Sequence, residues 1–327
     1  MHSRNARRGL ALVLSLFFSF TAIAAEKAAE YPNRPVRFII AQTTGTSVDT
    51  LARILAVKMG DLMGQQFVAD NRAGAGGTIG GEIASQAAPD GYTLLVSSTG
   101  MQVISPQIYK KLNYHPMKDF EPISLYAVTQ NVVVVNPALP VKTVKDLVAL
   151  AKASPGKYNM ANAGAGFQSH LAGVLFTHMA GIEVVHVPYK GGASLIAVMG
   201  NEAQVTIAPA PALTGHVRAG RLRAIATGGE KRSPLTPDLP TVIESDVPGY
   251  VSTGWAGIMA PRRTPKAILD RVHATMVKAL NDPQTRELME RAGGEPVSST
   301  PQEMVRVIDE DYARMGQAIK LAKLKVE

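Results

Sequence analysis

Short apolar runs rich in β-branched residues alternate with amphipathic helical segments along most of this chain, and this alternation constrains the fold more than any other feature. Val36–Ile40 has the composition of a buried parallel strand. Leu51, Leu55 and Met59 follow it at the spacing of one helix face. Strand–helix–strand units pack as right-handed crossovers, with helices on both faces of a sheet. The pattern therefore predicts a protein of the α/β class.

The alternation is organised in two similar series, the second of which begins near residue 130. The expected strands are 36–40, 66–70, 92–98, 132–135, 158–162, 184–189, 203–208, 222–227 and 253–260. The expected helices include 143–153, 193–199, 212–219, 265–281, 283–292 and 301–324. At roughly 100–200 residues per domain, a chain of 327 residues is long enough for about two domains.

The first 25 residues have the three parts of a secretory signal peptide. Arg4, Arg7 and Arg8 form the positive segment, Leu10–Ile23 forms the apolar segment, and 22–24 has the small-x-small cleavage pattern. The apolar segment is shorter than the ~20 residues needed to cross a bilayer as a helix. We therefore expect the chain to be exported and the segment to be removed.

The complete absence of cysteine removes several classes of protein at once. Without Cys the chain has no disulfide framework, thiolate zinc site, iron–sulfur cluster or cysteine nucleophile. The histidines that follow the signal segment include no pair at i, i+4, so helical zinc ligation is not expected. The net charge of +8 is spread along the chain, unlike the concentrated basic face of a nucleic-acid-binding protein. We expect no metal, no cofactor and no nucleic acid.

Each series places a turn rich in Gly, Ser and Thr between a strand and the N-terminus of a helix. These turns are Thr44–Ser47 and Ala165–Ser169. The first N–H groups of a helix lack intrahelical acceptors and lie at the positive end of the helix dipole, so either turn offers donors to an anion. The alternative is that these residues only cap and turn the chain. Two such turns, one per series, favour a cleft with anion-binding donors on both walls.

Motifs for covalent and nucleotide chemistry are missing from the sequence. Segments 45–49 and 192–196 each lack the last Gly of G-x-S-x-G, and the Gly pairs at 74/76 and 164/166 lack the third Gly of the dinucleotide fingerprint. His170 follows the second turn, where it either lines a cleft or caps its helix. We expect no enzyme; a hydrolase that uses the same cleft is the alternative.

Several motifs, taken in order, carry a family resemblance. They are Tyr31-Pro32-x-Arg34-Pro35-Val36, Asn71-Arg72-x-Gly74-Ala75-Gly76-Gly77, Ala88-Pro89-Asp90-Gly91-Tyr92, Asp119-Phe120-x-Pro122, Gly164-x-Gly166 with His170-Leu171-Ala172-Gly173, His186-Val187-Pro188-Tyr189-Lys190-Gly191, Leu239-Pro240-Thr241 and Pro248-Gly249-Tyr250. With these motifs the sequence resembles the Bug family of solute-binding receptors, associated with tripartite tricarboxylate transporters. The resemblance extends over essentially all of the chain after the signal segment.

The resemblance implies a type II periplasmic binding protein, in which two doubly wound lobes surround a central cleft. The crossover strands are expected near 125–130 and 250–257, so that 26–127 with 254–327 forms lobe 1 and 128–253 forms lobe 2. It also implies a periplasmic receptor that holds a small carboxylate, or a related small polar or aromatic molecule, and delivers it to membrane permease subunits. A sensor protein is the alternative partner, and we expect the receptor to be a monomer.

The resemblance implies a set of ligand-binding residues by position. They are Thr43, Thr44, Gly45, Thr46 and Ser47 on the first wall, Ala163, Gly164, Ala165, Gly166, Phe167, Gln168, Ser169 and His170 on the second, Ser98, Thr99, Gln102 and Tyr189-Lys190-Gly191 at the rim, and Ala208 and Pro209 after a later strand. Asp49 is expected to cap its helix rather than to contact a ligand.

Departures from the family pattern bear on the ligand. The aromatic-Pro-x-Gly-Gly stretch common in the first loop is replaced by Gln42–Thr46, and an Asp that many members place before the ligand is replaced by Ala208. An Asp there suits a ligand amino group, so its loss argues against amino-acid ligands. Phe167 offers an apolar or stacking face. We expect a carboxylate with an apolar or aromatic body rather than a citrate-like polyanion.

Overall fold

The structure is a computed structural model that describes residues 31–164, 167–190 and 192–324. The predicted signal peptide and the predicted contacts Ala165, Gly166 and Gly191 lie outside these residues. Within the described ranges, no helix combines the length and the apolar character that crossing a membrane requires.

Strands and helices follow one another in nearly the predicted order. The strands are β1 (Val36–Ile40), β2 (Phe67–Asn71), β3 (Thr93–Ser98), β4 (Phe120–Val135), β5 (Asn159–Asn162), β6 (Val185–Pro188), β7 (Val205–Pro209), β8 (Arg223–Thr227), β9 (Thr253–Pro261) and β10 (Glu295–Pro296). The helices are α1 (Ser47–Met63), α2 (Thr78–Ser85), α3 (Ser105–Ile108), α4 (Val144–Ala153), α5 (Gln168–Ala180), α6 (Ala193–Met199), α7 (Ala210–Arg218), α8 (Lys266–Asn281), α9 (Pro283–Arg291) and α10 (Pro301–Leu321). A 3₁₀ turn (Ala75–Gly77) precedes α2, and a π-helical turn (Gly100–Ile104) precedes α3.

The strands are hydrogen-bonded in the order β2-β1-β3-β9-β4-β7-β5-β6, with β8 and β10 also pairing with β4. Strand β1 is parallel to β2 and β3, and β5 is parallel to β6 and β7. The antiparallel partners of β4 change along its length: Phe120–Gln130 pairs with β9, whereas Asn131–Val135 pairs with β7 and β8. Strand β4 therefore passes from one half of the sheet into the other.

The second passage between the halves lies beside β4. Asn131 N donates to Ser252 O at 3.1 Å, and Ser252 N donates to Gly228 O at 2.7 Å. Gly228 N in turn donates to Asn131 O at 2.7 Å, while Asn131 Nδ2 donates to Ser252 Oγ at 2.7 Å. The backbone enters β9 directly after Ser252. The two chain segments that join the halves are thus hydrogen-bonded to each other where they cross.

Three apolar clusters stabilise this arrangement. One packs β1 and β3 against α1 and α8, and a smaller one packs β4 and β7 against α6 and α7. The third runs under both halves, because Met304 and Ile308 of α10 share it with Leu171 and Leu175 of α5. Burial of a large apolar side chain contributes roughly 1.5–3 kcal/mol, so this shared cluster is a substantial link between the halves.

The predicted fold class is confirmed as far as the strands show it: the chain is an α/β protein with two groups of parallel strands joined by the antiparallel strands β4 and β9. Most predicted boundaries agree with the structure to within one to three residues. The exceptions are β4, which starts at Phe120 rather than at 132, and four short elements that the pattern did not predict, namely the 3₁₀ turn, the π-helical turn, α3 and β10. The division into lobes at 127/128 and 253/254 stays a prediction.

Candidate ligand-binding site

The first wall is the turn between β1 and α1. Thr43, Thr44 and Gly45 are exposed, and Thr46 is the N-cap of α1: its Oγ1 accepts from Asp49 N at 3.4 Å and donates to Thr43 O at 3.0 Å. Ser47 opens the helix, so its N–H lies in the first turn, where a helix supplies no acceptor of its own. The wall presents exposed hydroxyl and main-chain donors at a helix N-terminus.

Asp49 supports this turn from inside the protein. Its buried carboxylate accepts from Gly45 N at 2.9 Å, Arg53 Nε at 3.0 Å and Asn71 Nδ2 at 2.8 Å. Burial acts to raise the pKa of Asp49, but these hydrogen bonds outweigh it and hold the pKa below its usual value. The helix cap is Thr46 rather than the predicted Asp49, which lies within the first turn and holds the preceding loop through Gly45 N.

Ser98 at the end of β3 and Thr99 and Gln102 after it are buried and hydrogen-bonded, although Gln102 Oε1 has no partner among the described residues. Ser98 Oγ accepts from Gln42 Nε2 at 3.1 Å, and Thr99 Oγ1 accepts from Trp255 N at 3.0 Å. Gln102 lies in the π-helical turn, and its Nε2 donates to Met259 Sδ at 2.6 Å. Thr99 and Gln102 hold the chain after β3 against β9, whereas Ser98 is bonded to Gln42 after β1. Their predicted contact with a ligand stays a prediction.

The second wall follows β5. Ala163 N donates to Ser169 Oγ at 3.0 Å, and Gly164 N donates to Asn162 Oδ1 at 3.0 Å. Gly164 has φ of +132°, a left-handed conformation that side chains rarely adopt. Phe167, the N-cap residue of α5, is 60% exposed. This wall therefore also ends at a helix N-terminus, with an aromatic ring beside it.

His170 lies in the first turn of α5 against His186 of β6. Their ring centroids are 5.8 Å apart in an edge-to-face arrangement, and His186 Nε2 is 3.3 Å from Thr177 Oγ1. Burial lowers the pKa of His170, and burial together with the neighbouring His170 lowers the pKa of His186 to about 4. Near neutral pH the pair is uncharged and adds no positive charge to the wall.

Three further predicted residues lie at the ends of β6 and β7. Tyr189 N donates to Asn162 O at 2.9 Å, which places it beside the second wall. Ala208 is buried in the smaller apolar cluster of the second half, so its methyl group packs inward. Pro209 is the register partner of Asn131, next to the crossing of the chain.

The rim of the first half and the second wall are both attached to one short stretch of β9. Thr99, which follows β3, accepts from Trp255 N at 3.0 Å. Gln168, the first residue of α5, donates from Nε2 to Thr253 O at 2.9 Å. Residues two apart on a strand are separated by roughly 7 Å. The structure therefore brings the rim of the first half and the helix N-terminus of the second half to within a small-molecule distance of each other.

The groups that the two walls expose are suited to binding a ligand. Among the described wall residues, the ionised side chain is Asp49, and its carboxylate is used inside the protein. The described part of the chain holds no group of three His, Cys, Asp or Glu side chains suited to a metal ion. Main-chain N–H groups and hydroxyls are the donors that remain.

Sequence reasoning did not single out Thr253, Trp255 or Asn162. Asn162 is signalled locally, because Asn two residues before a left-handed Gly is typical of an Asx turn. Thr253 and Trp255 act through their main chain, and their neighbours come from distant parts of the sequence. No local pattern marks them.

Two α/β halves joined by crossing strands, with the N-terminus of α5 attached to the strand that serves both halves, form the architecture of a solute-binding protein. A match to the family described as "Tripartite tricarboxylate transporter family receptor" covers residues 51–324. The chain belongs to this family of receptors, and the resemblance to the Bug proteins is confirmed.

Relatives support this assignment along the whole chain. Protein BugT of Bordetella pertussis is 34% identical over 326 residues, covering 98% of this chain and 100% of BugT. The solved structure of Rpa4515 of R. palustris with adipate has a TM-score of 0.81 and 32% identity, covering 90% of this chain and 99% of that one. MatC of Rhodopseudomonas palustris with bound malate has a TM-score of 0.75 and 27% identity, covering 88% of this chain and 100% of that one. The matched family is described as one of transporter receptors, and two of these relatives are solved with a small acid bound.

Proposed function

We propose that this chain is a periplasmic receptor that captures a small carboxylate between its two halves and delivers it to the permease subunits of a tripartite transporter. The predicted signal peptide provides for export. The proposed contacts are the two wall turns, 43–47 and 163–170, with the rim residues Ser98, Thr99, Gln102 and Tyr189 and the strand end at Ala208 and Pro209.

The observation that carries this proposal is that Thr99 of the first half and Gln168 at the N-terminus of α5 are both bonded to one stretch of β9, at Trp255 and Thr253. An N-terminus offers aimed N–H donors and about half a positive charge, which suits a carboxylate. The adipate bound by Rpa4515 and the malate bound by MatC are both small dicarboxylates. Donors on opposite walls match such a ligand, with one carboxylate for each helix.

Capture requires that the ligand bind the closed arrangement better than the open one. A ligand that contacts both walls has this differential affinity, since opening the halves separates its two sets of donors. The crossing at Asn131 and Ser252 is the hinge for this movement. The closed form is then the state that a permease recognises.

We further propose that the ligand has an apolar or aromatic body. Phe167 is 60% exposed beside the second wall, and Ala208 contributes no charge at the end of β7. An apolar ligand body gains from contact with an exposed ring, whereas the extra carboxylates of citrate find no cation among the described wall residues.

Thermal unfolding and calorimetry of residues 26–327 test both proposals. We expect adipate and benzoate to raise the melting temperature and to bind more tightly than citrate. Stabilisation by none of a panel of mono-, di- and tricarboxylates would contradict the proposed function. Tight binding of citrate with no binding of adipate or benzoate would contradict the ligand class alone.

A substitution at Phe167 tests the ligand body directly. In Phe167→Ser we expect affinity for benzoate to fall about tenfold, because removal of a ring contact costs on the order of 1–1.5 kcal/mol. Tyr312→Ser is the matched control, since Tyr312 is an exposed aromatic residue on α10. Equal loss in the two variants, or no loss in Phe167→Ser, would remove Phe167 from the site.

A further inference from the structure

Gln168 links the second wall to the strand that serves both halves. It is the first residue of α5, directly after the N-cap Phe167. Its Nε2 donates to Thr253 O at 2.9 Å, and Thr253 opens β9 opposite Gln130 of β4. A side chain at the N-terminus of one helix is thereby bonded to the main chain of the crossing.

The carboxamide of Gln168 lies so close to β9 that position 254 has little room for a side chain. A Cβ on Gly254 would lie 3.0 Å from Gln168 Nε2, 3.1 Å from Gln168 Oε1 and 3.1 Å from Thr129 Oγ1. Few real Cβ contacts are this short, so Gly254 leaves the room in which the carboxamide lies against the strand. The position of Gln168 is therefore fixed by packing as well as by a hydrogen bond.

The same stretch of β9 is held from the other half. Trp255 N donates to Thr99 Oγ1 at 3.0 Å, and the Trp255 indole Nε1 donates to Asp311 Oδ2 of α10 at 2.9 Å. Trp255 is 4% exposed and Thr99 is 2% exposed, so this attachment is inside the protein. Thr253–Trp255 is consequently bonded to the second wall and to the rim of the first half within three residues.

We propose that Gln168 is a positioning residue for ligand capture: it fixes the N-terminus of α5 to β9 and so sets the distance between the two walls. This inference rests on the proposed function, and it deepens it by assigning to Gln168 a role in the closing movement. Loss of the bond lets α5 move away from β9 and favours the open form. Ligand release then becomes faster, while the first encounter with the ligand changes little.

Two variants disturb this link in different ways. Gln168→Met keeps the length of the side chain and removes its donor, and Gly254→Ala places a methyl group 3.0 Å from Gln168 Nε2, so that the carboxamide must move by a few tenths of an ångström. Gln302→Met is the matched control, because Gln302 is an exposed glutamine in the first turn of α10. Near-ultraviolet circular dichroism establishes that each variant is folded.

Solution scattering and tryptophan emission without any ligand give the first test. We expect Gln168→Met and Gly254→Ala to have a larger radius of gyration than the parent protein, and Trp255, the only tryptophan, to emit at longer wavelength. Gln302→Met should match the parent protein in both measurements. Scattering curves and emission spectra that are the same for Gln168→Met and the parent protein would overturn the proposal.

Stopped-flow binding of adipate gives the second test. We expect the dissociation rate to rise about fivefold in Gln168→Met, as for loss of one hydrogen bond of about 1 kcal/mol, with the association rate within about twofold. An unchanged dissociation rate would refute the positioning role and leave the receptor function intact. If the parent protein binds no acid, the receptor function fails, and the ligand-free scattering still decides the role of Gln168.

Discussion

A carboxylate at the base of the first wall would repel an anionic ligand if nothing balanced its charge. Asp49 is held in an inward position by Arg53, Asn71 and Gly45 N, and its lowered pKa keeps it ionised and paired. The negative charge is therefore directed to the protein, while the helix N–H groups remain directed to the cleft. Single residues at this site serve mainly to hold the loops that present main-chain donors.

The pair His170 and His186 makes stability depend on pH. The pKa of His186 is about 4 in the folded protein, below the ~6.5 of an exposed histidine. A lowered pKa means that its contribution to stability is complete above about pH 6.5 and is lost as the pH falls towards 4. We expect the free energy of unfolding to drop by about 2 kcal/mol across this window, a value reduced from the full shift because the ring is partly exposed.

Urea unfolding followed by circular dichroism at several pH values measures this dependence. His186→Gln should flatten the fall in stability below about pH 6.5. His178→Gln is the control, because His178 is an exposed residue of α5 and should leave the profile as in the parent protein. Parallel profiles for His186→Gln and the parent protein would contradict this account of the histidine pair.

At the scale of elements, some helix glycines lie against neighbouring backbone and others face open space. Helix α2 lies so near β1 that a Cβ on Gly80 would be 2.8 Å from Ala41 Cα and 2.9 Å from Arg72 O. Gly215 of α7, in contrast, has no heavy atom within 4 Å of its Cβ position. Packing therefore requires glycine at position 80, whereas Gly215 has no packing reason and lowers the stability of its helix.

The two glycines give opposite predictions for the same substitution. Gly80→Ala should lower the free energy of unfolding by about 2 kcal/mol, because backbone atoms must move to admit the methyl group. Gly215→Ala should raise it by about 0.5–1 kcal/mol through higher helix propensity. Denaturant unfolding of both variants measures the difference. A neutral Gly80→Ala would show that α2 moves freely on β1.

Elements that depend on local pattern could be predicted, and those that depend on distant partners could not. The N-terminus of α4 can be predicted from the sequence, because Thr143 and Asp146 form a capping box. The length of β4 is hidden because Ser124, Thr129 and Gln130 interrupt its apolar run, and its partner β9 comes much later. In the site, the wall turns were predictable from composition, whereas the bond from Gln168 to Thr253 needed the assembled sheet.

At the scale of the whole molecule, α10 connects the crossing to both halves. Its Asp311 is buried between the Trp255 indole and Arg314, and burial raises the pKa of this carboxyl. The same helix packs in the apolar cluster shared by both halves. Movement of the halves is therefore expected on the side of the cleft away from α10.

Replacement of Asp311 tests the attachment of this helix. Asp311→Asn leaves the largely buried Arg314 without its anion, so the free energy of unfolding should fall by about 3 kcal/mol. Asp309→Asn is the control, because Asp309 is exposed on the same helix, and its effect should stay within about 0.5 kcal/mol. Denaturant unfolding monitored by Trp255 emission distinguishes them, and equal stabilities would exclude a structural role for the buried pair.

The position of β9 in the middle of the sheet also orders the events of biosynthesis. Its partners in β3 and β4 are synthesised long before it. Met259, to which Gln102 is bonded, follows Gln102 by 157 residues. The second half, from β4 to β8, is continuous in the chain and completes its sheet while the first half is still missing a central strand. Because distant pairings close slowly, the first half stays open until its C-terminal third has emerged. The first half of the nascent chain therefore cannot complete its sheet until β9 has been synthesised.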